Sequence, residues 1–213
     1  LPVLQGIGID CQLTLERYGF FPAGGGQLLA RIQPWTTVAP LELLQRGRQL
    51  QRQATAVIAD LPAHVARREA QTLKHRLHWS HREVDEVEVA ADGPGNILIA
   101  RLRHQAVSSV FSAVGELRKP AERVAEEVVK QVRRHQQSDA PVEEHLADQL
   151  LLPLALGAGG RFRCATPSRH CRTNADVIGC FLGPVVQFLP QEDGTTLVVV
   201  RGRDVWATDN ASA

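Results

Sequence analysis

The sequence has no methionine, one tyrosine and only 5% aromatic residues in 213 positions. A chain of that length without methionine, opening on Leu1 in mid-pattern, predicts a fragment whose N-terminal part is missing. Neither charge is in surplus: 24 Lys+Arg stand against 23 Asp+Glu, for a net charge of +1. That balance argues against coating nucleic acid through bulk charge, because counterion-driven binding draws on a basic excess. The longest greasy stretch, Leu150 to Gly157, is interrupted by Pro153. It falls short of the ~20 apolar residues a membrane span requires. No leader pattern opens the chain, so no membrane partner is expected. The four cysteines, Cys11, Cys164, Cys171 and Cys180, contain no CxxC pair. That excludes the common zinc spacings and a small disulfide framework, leaving reduced thiols in a cytoplasmic protein.

What is present is ordinary for a folded protein: 44% apolar and 22% charged residues, enough for a core and unlike a disordered or collagenous chain. Basic residues cluster at Arg46, Arg48 and Arg52, and in the pairs Arg67/Arg68, Arg101/Arg103, Arg133/Arg134 and Arg161/Arg163. Each cluster alone reads as a solvated face balanced by nearby acids.

Residues Ile9 to Glu16 alternate, with Ile9, Cys11, Leu13 and Leu15 on one face. The pattern predicts a strand with one face buried and one wet. A glycine-rich loop, Tyr18 to Gly26, leads to a second strand over 27–33, and the two should pair antiparallel. A strand over 48–59 is followed by a helix from Pro62 whose apolar positions are Ala66, Ala70, Leu73 and Leu77. Strands over 84–90, 97–103 and 107–114 precede a helix opened by Pro120. Val124, Ala125, Val128, Val129 and Val132 face inward on that helix. A third helix should run from about Pro141 to Leu156, bent by Pro153. A strand over 161–165, a helix over 170–182 and a hairpin from strands 185–189 and 196–201 complete the pattern, and the residues after Arg201 read as a frayed end. The economical architecture is α+β: one domain from 1–45 and 140–213, with a smaller α+β domain, 46–139, inserted in it.

Three segments could carry chemistry. On the third helix His145, Asp148 and Gln149 share a face opposite the stripe Leu146, Leu150 and Leu154. An imidazole, a carboxylate and an amide there could grip a ribose and stack on a base, although spacing alone more readily describes a solvent face. His170 sits where a loop delivers a helix N-terminus, flanked by Arg169 and Arg172. Such a position favours anions, and flanking cations keep an imidazole neutral and nucleophilic. Cys171 points elsewhere from its neighbour, so a Cys/His pair is discounted. The run Gly24-Gly25-Gly26 could admit a phosphate to the backbone but lacks the P-loop Lys-Ser/Thr and any GxGxxG spacing. His75, His78 and His81 read as a decorated helix end rather than a zinc site.

Read together, the stretches Tyr18 to Gly26, His145 to Leu150 and Pro167 to Asn174 resemble the RNA 3′-terminal phosphate cyclases of the bacterial, ATP-dependent type. Gly93-Pro94-Gly95-Asn96, and Gly115-Glu116 through Ala121-Glu122, match the family's inserted domain, so the likeness covers nearly all of residues 1–202 in order. The resemblance implies repeated units of two helices on a four-stranded sheet, the enolpyruvyl transferase/RNA cyclase-like fold, with a smaller inserted domain. It implies conversion of an RNA 3′-phosphate to a 2′,3′-cyclic phosphate with ATP and a divalent metal, Mg or Mn. His170 matches the family's nucleophile, which becomes a covalent histidine-AMP. His145, Leu146, Ala147, Asp148 and Gln149 match its nucleotide-binding helix.

The chain departs from the family at three places. The family's N-terminal glycine-rich motif is absent, so the chain alone is expected to be inactive. His145 stands where relatives commonly have an aromatic residue, and Ser112 where they can present one towards the base. A non-catalytic relative acting in RNA binding or ribosome assembly is the alternative, disfavoured by the presence of His170. Enolpyruvyl-transfer enzymes share the architecture but use no covalent histidine.

Overall fold

The computed structural model describes residues 1–35 and 38–202. The expected frayed end lies outside them, beyond Gly202.

The central stretch of chain shows how alternation becomes architecture. Strands β4 (Gln49–Ala59), β5 (Val84–Glu88), β6 (Gly95–His104) and β7 (Ser108–Val114) form one sheet in the order β5-β4-β6-β7. Helices α2 (His64–Leu77) and α3 (Ala121–Gln136) cover one face of it. The inward set on β6 (Leu98, Ala100 and Leu102) has no exposed surface, and neither do Val124, Val128 and Val132 on α3. β5 runs parallel to β4 because α2 carries the chain back over the sheet, whereas β6 and β7 are antiparallel neighbours.

Here the Gly93-Pro94-Gly95-Asn96 motif acquires a structural meaning. Asn96 Nδ2 donates to Oε1 of Glu69 on α2, a side chain with no exposed surface. A Cβ on Gly115 would overlap the Asn96 carboxamide, so this glycine sits where only a hydrogen fits. Glu69 Oε2 has no partner among the described residues, and burial raises the carboxyl to about 7.

The second sheet joins the two ends of the chain. β3 (Leu41–Leu43), β8 (Gly159–Cys164), β10 (Thr196–Arg201) and β9 (Val186–Pro190) lie in the order β3-β8-β10-β9. Helices α4 (Glu144–Leu156) and α5 (Arg169–Leu182) contribute Leu150, Leu151, Leu154, Cys171 and Ile178 to its core around Phe162. Val107, from the turn before β7, packs into this core rather than the central one.

Arg46 ties the chain leaving this second body to the chain returning to it. Its Nη2 donates to the carbonyls of His135, Ser138 and Ala140, at 3.2 Å for the first and 2.9 Å for the last. A short helix α1 (Pro2–Gly6) precedes the hairpin of β1 (Cys11–Arg17) and β2 (Gln27–Ile32), whose antiparallel pairing matches the alternation. The loop between them rests on the central sheet: Phe20 is buried, and a Cβ on Gly95 would overlap its ring.

Burial on the hairpin differs from expectation. Ile9 and Cys11 are buried, but Leu13 and Leu15 are 48% and 51% exposed. Among the described residues the outer part of this apolar face is only half covered. Three other readings need adjustment. α1 and β3 were too short to announce themselves, and α4 begins at Glu144 rather than near Pro141. Val142 is instead bridged to Cys164 in extended backbone.

Candidate active site

The carboxylate of Glu143 sets where α4 starts. Its oxygens accept from the backbone N–H groups of His145 (2.8 Å) and Leu146 (2.6 Å), satisfying two of the donors every helix N-terminus leaves unpaired. The next residues then separate by face. Ala147 is fully buried in the core and Leu146 half-buried, while His145 and Gln149 are exposed and Asp148 half-buried.

α5 is capped in the same way, with Ser168 Oγ accepting from the Cys171 N–H at 3.1 Å. His170 falls in the first turn, exposed to solvent. Arg172 stacks over Phe188, its guanidinium carbon 5.2 Å from the ring centre. One helical turn after His170, Asn174 Nδ2 donates to the Asp148 side-chain Oδ1 (3.0 Å) and to the Asp148 carbonyl (3.2 Å). This amide fixes α5 against α4 and brings the His170 end of one helix to the Asp148 face of the other. Cys171 takes no part: it is fully buried, and desolvation pushes its thiol up to about 11 and that of Cys164 to about 12.

Two hollows flank His145. The smaller, of about 240 Å³, lies between α3 and the loop after β8, with His135, Arg134, Glu144 and Thr166 on its walls. The Arg134–Glu144 ion pair crosses it at 2.5 Å. The larger, of about 780 Å³, lies between the β1 strand and the face of the central sheet that carries no helices. His145, Leu146 and Gln149 close one end of it, and Gln51, Arg101 and Arg103 line its floor. Ser112 projects from that same open face, since it alternates with the buried Phe111 and Ala113. Asp148 and His170 line neither hollow.

The site residues named from sequence on α4 therefore divide into three settings. His145, Leu146 and Gln149 border the large cleft, Asp148 is held by Asn174 beside α5, and Ala147 fixes α4 to the core. Sequence reasoning passed over Asn174 as a positioning group and Arg101 and Arg103 as cleft residues. Among the described residues no group of three or more His, Cys, Asp and Glu side chains is arranged to cage a metal ion. A magnesium-like ion arriving on nucleotide phosphates needs only one or two protein carboxylates. Asp148 fits that lesser requirement: Asn174 occupies Oδ1, and among the described residues none donates to Oδ2.

Comparison with known proteins gives the family. The family model for RNA 3′-terminal phosphate cyclase matches residues 1–188. A Koribacter versatilis protein named RNA 3′-terminal phosphate cyclase is 39% identical over 204 residues, covering 95% of this chain and 57% of that protein. Namesakes from Pseudomonas aeruginosa (strain UCBPP-PA14) and Ectopseudomonas mendocina are 44% and 42% identical, each over 85% of this chain and 53% of their own length. The chain thus spans a little over half the length of these relatives. With the match running through both helices of the site, the chain belongs to the RNA 3′-terminal phosphate cyclase family.

Proposed function

We propose that this chain carries the nucleotide-transfer site of an ATP-dependent enzyme that closes an RNA 3′-phosphate to a 2′,3′-cyclic phosphate, with His170 as the nucleophile. A phosphate monoester oxygen leaves poorly, and adenylation divides one difficult substitution into easier ones. A nitrogen of His170 attacks the α-phosphorus of ATP, forming a P–N bond as the bond to pyrophosphate breaks. The AMP moves to an oxygen of the RNA 3′-phosphate and frees the imidazole. The neighbouring 2′-hydroxyl then attacks the 3′-phosphorus, loses its proton and expels AMP.

The observation that carries the reading is the join between α4 and α5. His170 stands exposed in the first turn of a capped helix, where the backbone dipole favours phosphate, one turn from the Asn174–Asp148 hydrogen bonds. In this reading His145, Leu146, Ala147, Asp148 and Gln149 form the nucleotide-binding turn. His145 stacks on the base, Asp148 and Gln149 take the ribose, and Ala147 anchors the helix. A divalent ion would offset charge on the triphosphate.

We also assign 46–139 as an inserted domain within a main domain of 1–45 and 140–213, and the two helices on the β3-β8-β10-β9 sheet as one of the family's repeated units. Separate cores around Phe162 and around Leu98 support that division.

The test is covalent labelling. This chain, alone and joined to the part of the Pseudomonas relative it does not span, is incubated with α-labelled ATP and Mg or Mn. Acid-labile, alkali-stable label on His170, abolished in His170→Ala, is the expected result. Absence of label from both proteins would sink the reading.

A further inference from the structure

The open face of the central sheet sets two arginines in a row-by-row register on the floor of a cleft. Register places Gln51 beside Arg103 and Arg103 beside Ser108, in one row across three strands. The next row is Gln53, Arg101 and Val110. Alternate residues of a strand lie ~7 Å apart, so the two guanidinium groups stand one above the other on the floor of the 780 Å³ cleft. Most of the other arginines singled out by clustering are engaged. Arg52 pairs with Glu83, Arg134 with Glu144, Arg161 with Glu42 and Arg163 with Asp193, and Arg46 is spent on three carbonyls. Arg101 and Arg103 have neither ion pair nor hydrogen bond among the described residues, although both point into a concavity. Its one lining carboxylate, Glu143, already caps α4.

We propose that Arg101 and Arg103, with the Gln51 amide and the Ser108 hydroxyl beside them, form a binding track for the phosphodiester backbone of single-stranded RNA. The track lies immediately 5′ of the nucleotide whose end reacts. This rests on the reading of RNA as substrate and adds to it a second site, separate from the helix carrying His170. The spacing of the two rows suits successive phosphates of an extended strand. A planar, always charged guanidinium bonds phosphate oxygens through two N–H groups, and amides and hydroxyls alongside can take 2′-hydroxyls. The polynucleotide runs over β6 towards the end of the cleft closed by α4, where His145 and Gln149 hold the nucleotide. Among the lining residues described His145 carries the only aromatic ring, so the floor offers no platform on which successive bases could stack. Contacts to phosphates and 2′-hydroxyls carry no base information, so a track of this kind holds RNA whatever its sequence. It also reconciles a net charge of +1 with an RNA partner: two unpaired arginines in a cleft serve where a basic surface is missing.

The experiment is a salt titration of a short, fluorescein-labelled single-stranded RNA ending in a 3′-phosphate, bound to the full 213-residue chain. Three variants are compared: Arg101→Gln/Arg103→Gln, Arg101→Lys/Arg103→Lys, and Arg67→Gln/Arg82→Gln as a charge-matched control on other exposed surface. Each phosphate contact to a single strand contributes ~0.7 to the slope of log affinity against log salt, so the first variant should flatten it by ~1.4. The lysine pair should restore most of the slope, the control should leave it unchanged, and the losses should be equal for unrelated RNA sequences. Thermal unfolding of each variant separates lost binding from lost folding, and the lysine pair keeps the test open if the glutamine pair unfolds. An unchanged slope, an equal loss in the control, or no measurable RNA binding by the unaltered chain would overturn the proposal. So would a loss of ATP affinity in place of RNA affinity, which would assign the arginines to the nucleotide's own phosphates. Labelling of His170 with an unchanged slope removes the track and keeps the cyclase reading. A flattened slope with no labelling in any form does the reverse.

Discussion

The central sheet and the β1–β2 hairpin carry the same alternating pattern and meet opposite fates. On β6, Leu98, Ala100 and Leu102 alternate with Ile97, Ile99, Arg101 and Arg103 and are completely buried beneath α2 and α3. On β1, Leu13 and Leu15 alternate as regularly, and about half of each side chain faces solvent, as do Leu28 and Ile32 on the partner strand. The pattern states which face is meant to be covered; only a covering element turns that into stability. Burial of apolar area contributes ~25 cal/mol per Å², so the difference lies in what is laid against the face and not in the strand.

The largest effect that sharpens this contrast is a cavity under the helices. Leu102 is fully buried between β6 and the two helices. Leu102→Ala should cost ~2–5 kcal/mol, the range for deleting a buried leucine from a core that relaxes only partly. Urea unfolding followed by circular dichroism measures it. A loss below ~1 kcal/mol would mean that the central core collapses around the gap and is no better packed than the hairpin.

These differences also decide how much was legible beforehand. α3 was readable because Val124, Ala125, Val128, Val129 and Val132 recur at helical spacing over a one-sided sheet, and every one is buried. The start of α4 was misplaced because proline commonly opens a helix, whereas Val142 bridges to Cys164 and Glu143 supplies the cap. For the candidate site, the sequence could put His145, Asp148 and Gln149 near one another on a helix. It could not pair Asp148 with Asn174, because that bond depends on the packing of two helices. Arg101 and Arg103 were visible as a pair, but alternation does not reveal that the face they share is left uncovered by helices.

The next effect concerns the one carboxylate in the central core. Burial raises Glu69 from its usual value to about 7, against the hydrogen bond from Asn96 and the charge of Lys119, which both act to lower it. Between the unfolded and folded values the native state binds more protons. The folded protein therefore loses stability as pH rises from about 4.5 to about 7, by an order-of-magnitude ~3 kcal/mol, and remains at the lower level above that. Glu69→Gln keeps an acceptor for Asn96 and carries no charge, so it should be the more stable protein at pH 8 and lack this limb. His135 contributes the opposite limb. Held down to about 4 by burial, with Arg46 and His104 adding to the effect, it costs stability as pH falls from about 6.5 towards 4. The substitution at Glu69 should expose that acid-side loss, and melting temperatures across pH 4–8 test both signs. A variant that keeps the alkaline decline would place its origin elsewhere.

The smallest effect is expected where the pattern looks strongest. Leu15 and Leu28 face each other across the hairpin, and both are more than half exposed. Leu15→Ser and Leu28→Ser remove the apolar pair without opening a cavity or stranding a buried polar group. Each should change the stability of this chain by less than ~0.5 kcal/mol, as substitutions at uncovered positions do. Cross-strand pairs contribute ~0.2–1 kcal/mol, so the double variant should lose no more than that. Denaturant midpoints with unchanged slopes measure it. A loss approaching that of Leu102→Ala would show that the hairpin face is covered in solution and would erase the distinction between the two sheets; a small one leaves the alternation of β1 as a face whose stabilising value depends on a partner surface.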